Sequence, residues 1–191
     1  MTCYIIILIL LIYIIYLNYY INKIKINSKK DELTQLYNRK YMNSININEY
    51  YIIIADIDKF KNINDLYGHN IGDKVLVTFS KYLKIYFKQF EYKRKIKIIR
   101  WGGEEFLILF PRVDLNNNGI KTEKVINIIE KLRQEINNIN ILTSRSEVIS
   151  ITSSFGINFK LCNNINIGIE LADNELYKAK NSGRNKICYI K

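Results

Sequence analysis

The stretch that decides the fold is YIIIADIDKFKNINDLYGHNIGDKVL, residues 51–76. Residues 51–55 form a compact apolar run that ends in carboxylates, which predicts a buried strand. Residues 60–67 predict a short helix stopped at Gly68. From Gly72 to about residue 90, Val75, Leu76, Phe79, Leu83 and Phe87 recur at helical spacing. Working outward, residues 97–100 and 106–110 predict two strands joined at Gly102-Gly103, a hairpin signal. Residues 119–139 predict a helix with Val125, Ile128, Ile129, Leu132 and Ile136 on one face. Residues 148–159 predict a strand. Residues 168–182 predict a helix closed by Gly183 as its C-terminal cap, and residues 186–190 a last strand. Upstream, residues 34–38 predict a turn leading into a helix that runs to about Glu49. This order predicts an α+β fold, with helices flanking a mostly antiparallel central sheet.

Composition sets the bounds. The chain has 191 residues, 48% of them hydrophobic, enough for one domain with a sizeable core and a short extension. Its net charge of +11 suits nucleic acid or an anionic surface in principle. The lysines are scattered, however, and form no arginine-rich stripe with interleaved aromatics. A solvated lysine-rich surface with some phosphate-binding residues is therefore expected, and no nucleic-acid partner. Cys3, Cys162 and Cys188 are odd in number and lack CxxC spacing. They predict free thiols in a reducing compartment, with no disulfide framework or zinc site.

The N-terminus has its own character. Residues 1–21 carry no charged side chain, and residues 5–21 are nearly all Ile, Leu and Tyr. About 20 helical residues cross a hydrocarbon core of about 30 Å. No basic n-region or small-residue cleavage site marks a signal peptide. The expectation is a transmembrane anchor over 1–21, a short cytoplasmic linker over 22–30 and one domain over 31–191. Lys23, Lys25, Lys29 and Lys30 follow the apolar run, so the positive-inside rule puts the N-terminus outside. That predicts a single-pass protein of the inner (cytoplasmic) membrane with its domain in the cytoplasm. It leaves no room for a sensory domain ahead of the anchor.

Several side chains carry possible chemistry. Asp56 and Asp58 sit two apart at the exit of the first strand. Carboxylates there are costly unless they bind a cation or hydrogen-bond donors; capping a turn is the simpler reading. Glu104 and Glu105 follow two glycines at the hairpin tip, where the backbone can approach a ligand closely. An exposed acidic turn is the plain alternative. If their strands are neighbours, Asp56 and Glu104 converge on an all-oxygen site that suits Mg²⁺ and substrate phosphates. His69, the only histidine, lies between Gly68 and Gly72 in a loop that opens a helix. Asp73 at that helix start also has a capping role open to it.

Taken together these residues resemble the GGDEF family of diguanylate cyclases. Asp31-Glu32-Leu33-Thr34 through Arg39 looks like the family's opening motif. Asp56-Ile57-Asp58 through Asp65, then Gly68-His69 and Gly72-Asp73, stay close to its pattern. Arg100-Trp101-Gly102-Gly103-Glu104-Glu105-Phe106 is similar to its active-site loop in the Glu-Glu form. Thr152-Ser153-Ser154-Phe155-Gly156 and the Ala172-to-Asn185 segment match its late strand and final helix. The resemblance covers residue 31 onward and implies a fold like the nucleotidyl cyclase and polymerase palm. It implies condensation of two GTP into cyclic di-GMP with release of two pyrophosphates. Asp56, the Ile57 carbonyl, Glu104 and Glu105 correspond to ligands of two Mg²⁺ ions, with Mn²⁺ as an alternative. Glu104 is implied as general base, or as the group that acts on the attacking 3′-hydroxyl through its metal. Lys61 is implied to neutralise charge in the transition state. Asn64 and Asp73 are implied as guanine readers, with His69, Gly102, Gly103, Lys180 and Arg184 at the rest of the nucleotide. One GTP per protomer implies that a homodimer is required for catalysis.

The sequence also departs from the family. Lys93 and Ile96 stand where an Arg-x-x-Asp feedback motif usually lies, which predicts little product inhibition there. Gln35 replaces a usual Gly and Lys40 a common Arg, which touches local turn geometry only. The alternative is a catalytically silent GGDEF-like nucleotide-binding or scaffold module. Such a module is expected to lose a metal carboxylate or a loop glycine, yet Asp56, Lys61, Gly102, Gly103 and Glu104 are all present. A hybrid dinucleotide product is disfavoured by Asp73, whose acceptor-only carboxylate matches guanine N1–H and N2–H but not adenine.

Overall fold

The computed structural model describes residues 2–143 and 146–191, apart from the side chains of residues 2, 3, 5, 6, 8, 21–27, 44, 92 and 94. A six-stranded mixed sheet organises the domain. Its strands are β1 (Tyr37–Asn38), β2 (Tyr50–Ile57), β3 (Lys97–Arg100), β4 (Glu105–Pro111), β7 (Ser153–Asn158) and β8 (Ile187–Ile190). Their spatial order is β1-β3-β4-β2-β7-β8. The four inner strands pair antiparallel, and both outermost pairings are parallel. A separate ribbon joins β5 (Asn140–Leu142) to β6 (Val148–Ser150). The α+β architecture expected from the sequence is the one observed.

Every residue of β2 is buried, which explains its nearly unbroken apolar sequence. Alternation sends Tyr51, Ile53, Ala55 and Ile57 into a core shared with α3 (His69–Lys88) and α4 (Thr122–Ile136). It sends Ile52 and Ile54 to the other face, against Ile169, Ala172 and Leu176 of α5 (Ile165–Asn181). Asp56 continues that second parity and so emerges on the α5 side. Gly156 lets α5 lie directly on β7. A Cβ there would stand 2.0 Å from the Ala172 carbonyl oxygen and 2.3 Å from the Leu176 nitrogen. Gly183, with φ of +112°, follows the end of α5 as expected for a C-terminal cap.

Two regions differ from the sequence reading, and the Gln35 turn keeps the geometry of the glycine it replaces. Residues 39–49 form two short 3₁₀ turns, Arg39–Ser44 and Ile47–Glu49, in place of one helix. Asn, Ser and Ile dominate that stretch, and all are weak helix formers. Residues 148–159 are two strands in two sheets, broken at Ile151-Thr152. Gln35, where the family usually has Gly, adopts φ of +57°, a left-handed conformation.

The N-terminal expectation needs correction. Residues Thr2–Asn27 form a 26-residue helix, α1, that continues into the region expected to be a polar linker. Among the described residues no helix is long and apolar enough to cross a membrane. The transmembrane anchor over 1–21, the single-pass inner-membrane location and the membrane as partner are therefore overturned. Met1 and the side chains of residues 21–27 lie outside the described part.

Candidate active site

The site forms where β2 ends beside the β3–β4 hairpin. The antiparallel register sets Asp56 opposite Glu105 on one side and opposite Ser154 on the other. Directly paired residues share a face of the sheet, so the Asp56 and Glu105 carboxylates point the same way. The hairpin tip is tight: Trp101 N–H and Gly102 N–H both donate to the Glu105 carbonyl, at 2.9 and 3.3 Å. Ile57 N–H donates to the Glu104 carbonyl at 3.4 Å, which fastens the tip to the exit of β2. Gly103 is exposed, with nothing within 4 Å of where a Cβ would stand. The residue paired directly with Asp56 is thus Glu105, while Glu104 meets the exit of β2 through its backbone carbonyl.

Asp56 is only 5% exposed. Burial pushes its carboxyl up to about 6; Lys180 opposes that rise, while Glu104 and Glu105 add to it. Lys180 Nζ lies 2.8 Å from Asp56 Oδ2. A buried carboxylate facing two further carboxylates is a poor arrangement for stability and a good one for a cation. All the available donors are oxygens, which suits a hard divalent ion that also takes phosphate and water ligands. Among the described residues no group of three or more His, Cys, Asp and Glu is gathered closely enough to hold a metal by itself. Two carboxylates and a backbone carbonyl still match the usual protein share of a Mg²⁺–phosphate site.

Asp58 behaves differently. It accepts from Thr152 Oγ1 at 2.7 Å, Ser154 Oγ at 2.6 Å and the Asn185 N–H at 3.0 Å. The strand break at Thr152 serves this grip. Asp58 thus ties β2, the start of β7 and the segment after α5 together, with three donors on its carboxylate.

The remaining expected residues lie on two helices and the turn after α5. Lys61 and Asn64 lie on α2 (Phe60–Tyr67), and His69 and Asp73 open α3. Asn64 Oδ1 rests on Gly72, where a Cβ would come within 1.9 Å of it. The glycine therefore seats Asn64 beside Asp73. Lys61, His69, Asp73 and Arg184 are exposed and make no side-chain hydrogen bond or ion pair among the described residues. The sequence reading missed two supports of the loop. Arg39 stacks over Trp101, 4.3 Å from its ring centroid, and Arg100 bridges Asp31 to Gly103. Arg100's position beside the paired glycines was the available signal for the second.

A sequence model described as "Diguanylate cyclase, GGDEF domain" matches residues 28–186. The chain belongs to the GGDEF family. It is 33% identical over 140 residues to diguanylate cyclase DgcM of Escherichia coli K12, covering 73% of this chain and 30% of that protein. It is 33% identical over 172 residues to diguanylate cyclase VdcA of Vibrio cholerae, covering 86% of this chain and 48% of that protein. The chain thus spans less than half of the length of these curated relatives. Among solved structures, it is similar to the coiled coil and GGDEF domain of DgcB from Caulobacter crescentus, in complex with c-di-GMP. That match has a TM-score of 0.78 at 26% identity and covers 93% of this chain and 94% of the other.

Proposed function

We propose that this chain is a diguanylate cyclase that condenses two GTP into cyclic di-GMP, releasing two pyrophosphates. The observation that carries the reading is Asp56: buried, opposite Glu105, beside Glu104, and raised to about 6 by that setting. Asp56, the Ile57 carbonyl, Glu104 and Glu105 would hold divalent metal, two Mg²⁺ per site or Mn²⁺ in their place. Bound there, the metal supplies Lewis-acid charge at the α-phosphate and lowers the pKa of the attacking hydroxyl.

The chain's own residues do the rest. Glu104, presented at a tip free of side chains, is placed to take the proton from the 3′-hydroxyl of the other GTP. That oxygen bonds to the α-phosphorus as the bond to pyrophosphate breaks. Lys61, Lys180 and Arg184 offset the phosphate charge as it redistributes. Gly102 and Gly103 leave the backbone room to approach the nucleotide. Asn64 and Asp73 read the guanine edge, with His69 at the same helix start. An acceptor facing adenine there would be left unpaired, at a cost of about 1–3 kcal/mol. Each protomer holds one GTP, so two sites must meet face to face, and a homodimer is required. Ile96 is buried and Lys93 exposed at the place of the missing feedback motif, which supports weak product inhibition there.

The test is incubation of the purified protein with Mg²⁺ and GTP, ATP or both, with products identified by mass. Cyclic di-GMP from GTP alone, with no adenine-containing dinucleotide, is expected. Nucleotide binding without any product would favour the silent module instead. Activity per molecule that stays constant on dilution to nanomolar enzyme would contradict the dimer.

A further inference from the structure

We infer that Arg100 is a positioning residue: clamped by Asp31, it fixes the Gly103 carbonyl and so aims Glu104. This rests on the cyclase reading above. Arg100 ends β3, and its guanidinium is shared between two targets. Nη1 donates to both carboxylate oxygens of Asp31, at 3.1 and 3.3 Å. Nε and Nη2 both donate to the Gly103 carbonyl, at 3.3 and 3.0 Å. Only a planar fork with several fixed donors can hold two acceptors in this way.

The target matters because the Gly103 carbonyl belongs to the peptide unit that leads into Glu104. With no side chains on Gly102 or Gly103, the tip has nothing of its own to pack. Its remaining ties are backbone bonds within the hairpin and to Ile57. Arg100 is the side chain that ties it, through Asp31, to the turn that follows α1.

Asp31 is a firm anchor. It accepts from Thr34 N–H at 2.8 Å and Thr34 Oγ1 at 2.7 Å. Burial works to raise its carboxyl, but the Thr34 donors and Arg100 outweigh it and hold it below the ordinary carboxylate range. The pair is only 17% and 22% exposed at its side chains, so it is partly sheltered from screening. The same turn is tied to the end of α1. Asn38 Nδ2 donates to the Ser28 and Lys30 carbonyls, both at 2.9 Å, and Asn38 N–H to Lys29 at 2.8 Å. The segment after α1, the Asp31 turn, Arg100 and the loop that presents Glu104 thus form one continuous chain of contacts.

Two measurements on the full chain test this. The first is steady-state kinetics of Asp31→Asn, Arg100→Gln and the double variant. Expected is a fall in kcat of about 10–100-fold, the scale of a misaimed reacting group. The KM for GTP should stay within about twofold, because the groups that bind nucleotide are untouched. The double variant should be no worse than the worse single, since both belong to one clamp. The second is amide hydrogen exchange across residues 100–106, which needs no turnover. Exchange there should be faster in each variant than in the parent, with the protection of β2 unchanged. A wild type that makes no cyclic di-GMP would defeat the cyclase reading but not the clamp, which the exchange data judge alone. Wild-type exchange in the variants, unchanged kcat, or additive losses would overturn the inference.

Discussion

Asp56 and Asp58 leave β2 two residues apart and are almost equally buried, at 5% and 7% exposure. Their partners make them opposites. Asp58 is gripped by two hydroxyls and a backbone N–H, so its charge is spent on joining three segments. Asp56 has one cation, Lys180, and faces two other carboxylates. The first arrangement holds the fold; the second stores unfavourable electrostatics at a cleft edge. The difference shows that burial alone does not mark a functional acid. What marks it is burial without enough donors.

The strongest way to break this comparison is to neutralise each acid in turn. Asp56→Asn should lower cyclic di-GMP synthesis by about 10²–10³-fold, the scale of losing one preorganised electrostatic contact. Its melting temperature should be equal or higher, and a calorimetric scan alongside the activity assay checks both. Asp58→Ala should do the reverse in kind. It strands three donors and should cost about 3 kcal/mol of stability, read by urea unfolding.

A smaller effect appears with pH. The Asp56 carboxyl is raised from its ordinary value of about 3.9 to about 6. Between those values the folded protein keeps a proton that the unfolded chain has released. Stability should therefore fall as pH rises through that window, by on the order of 3 kcal/mol, with the full penalty present above about 6. Asp56→Asn should lack this fall, and Mg²⁺ should oppose it in the wild type. Equal pH profiles for the two proteins, from unfolding at several pH values, would remove the contrast. The smallest effect is on Lys180→Gln. Loss of its ammonium should move the Asp56 carboxyl further up, visible in the carboxyl carbon shift during an NMR titration.

Much of this was legible in the sequence for identifiable reasons. The apolar run at 51–55 could only be a strand buried on both faces. The Gly102-Gly103 pair marked a hairpin, and helical spacing from Val75 to Phe87 marked α3. Asp56 was legible at the exit of a buried strand, but its direct partner across the hairpin is Glu105, where the sequence pointed to Glu104. Asp58's role was not, since Thr152, Ser154 and Asn185 approach it from more than 90 residues away. Nor was the Arg100–Asp31 clamp, which spans 69 residues and leaves no periodicity. The helix expected over 39–49 failed because period was read without weighing its Asn and Ile content. The membrane anchor expected over residues 1–21 is overturned because, among the described residues, no helix is long and apolar enough to cross a membrane.

The most direct test of the account is metal binding. Mn²⁺ can be titrated into the protein with a GTP analogue that cannot lose pyrophosphate, and bound ion followed by electron paramagnetic resonance. The account predicts nucleotide-dependent binding in the wild type and a large loss of it in both Asp56→Asn and Glu104→Gln. Undiminished binding in the Asp56→Asn protein would contradict it.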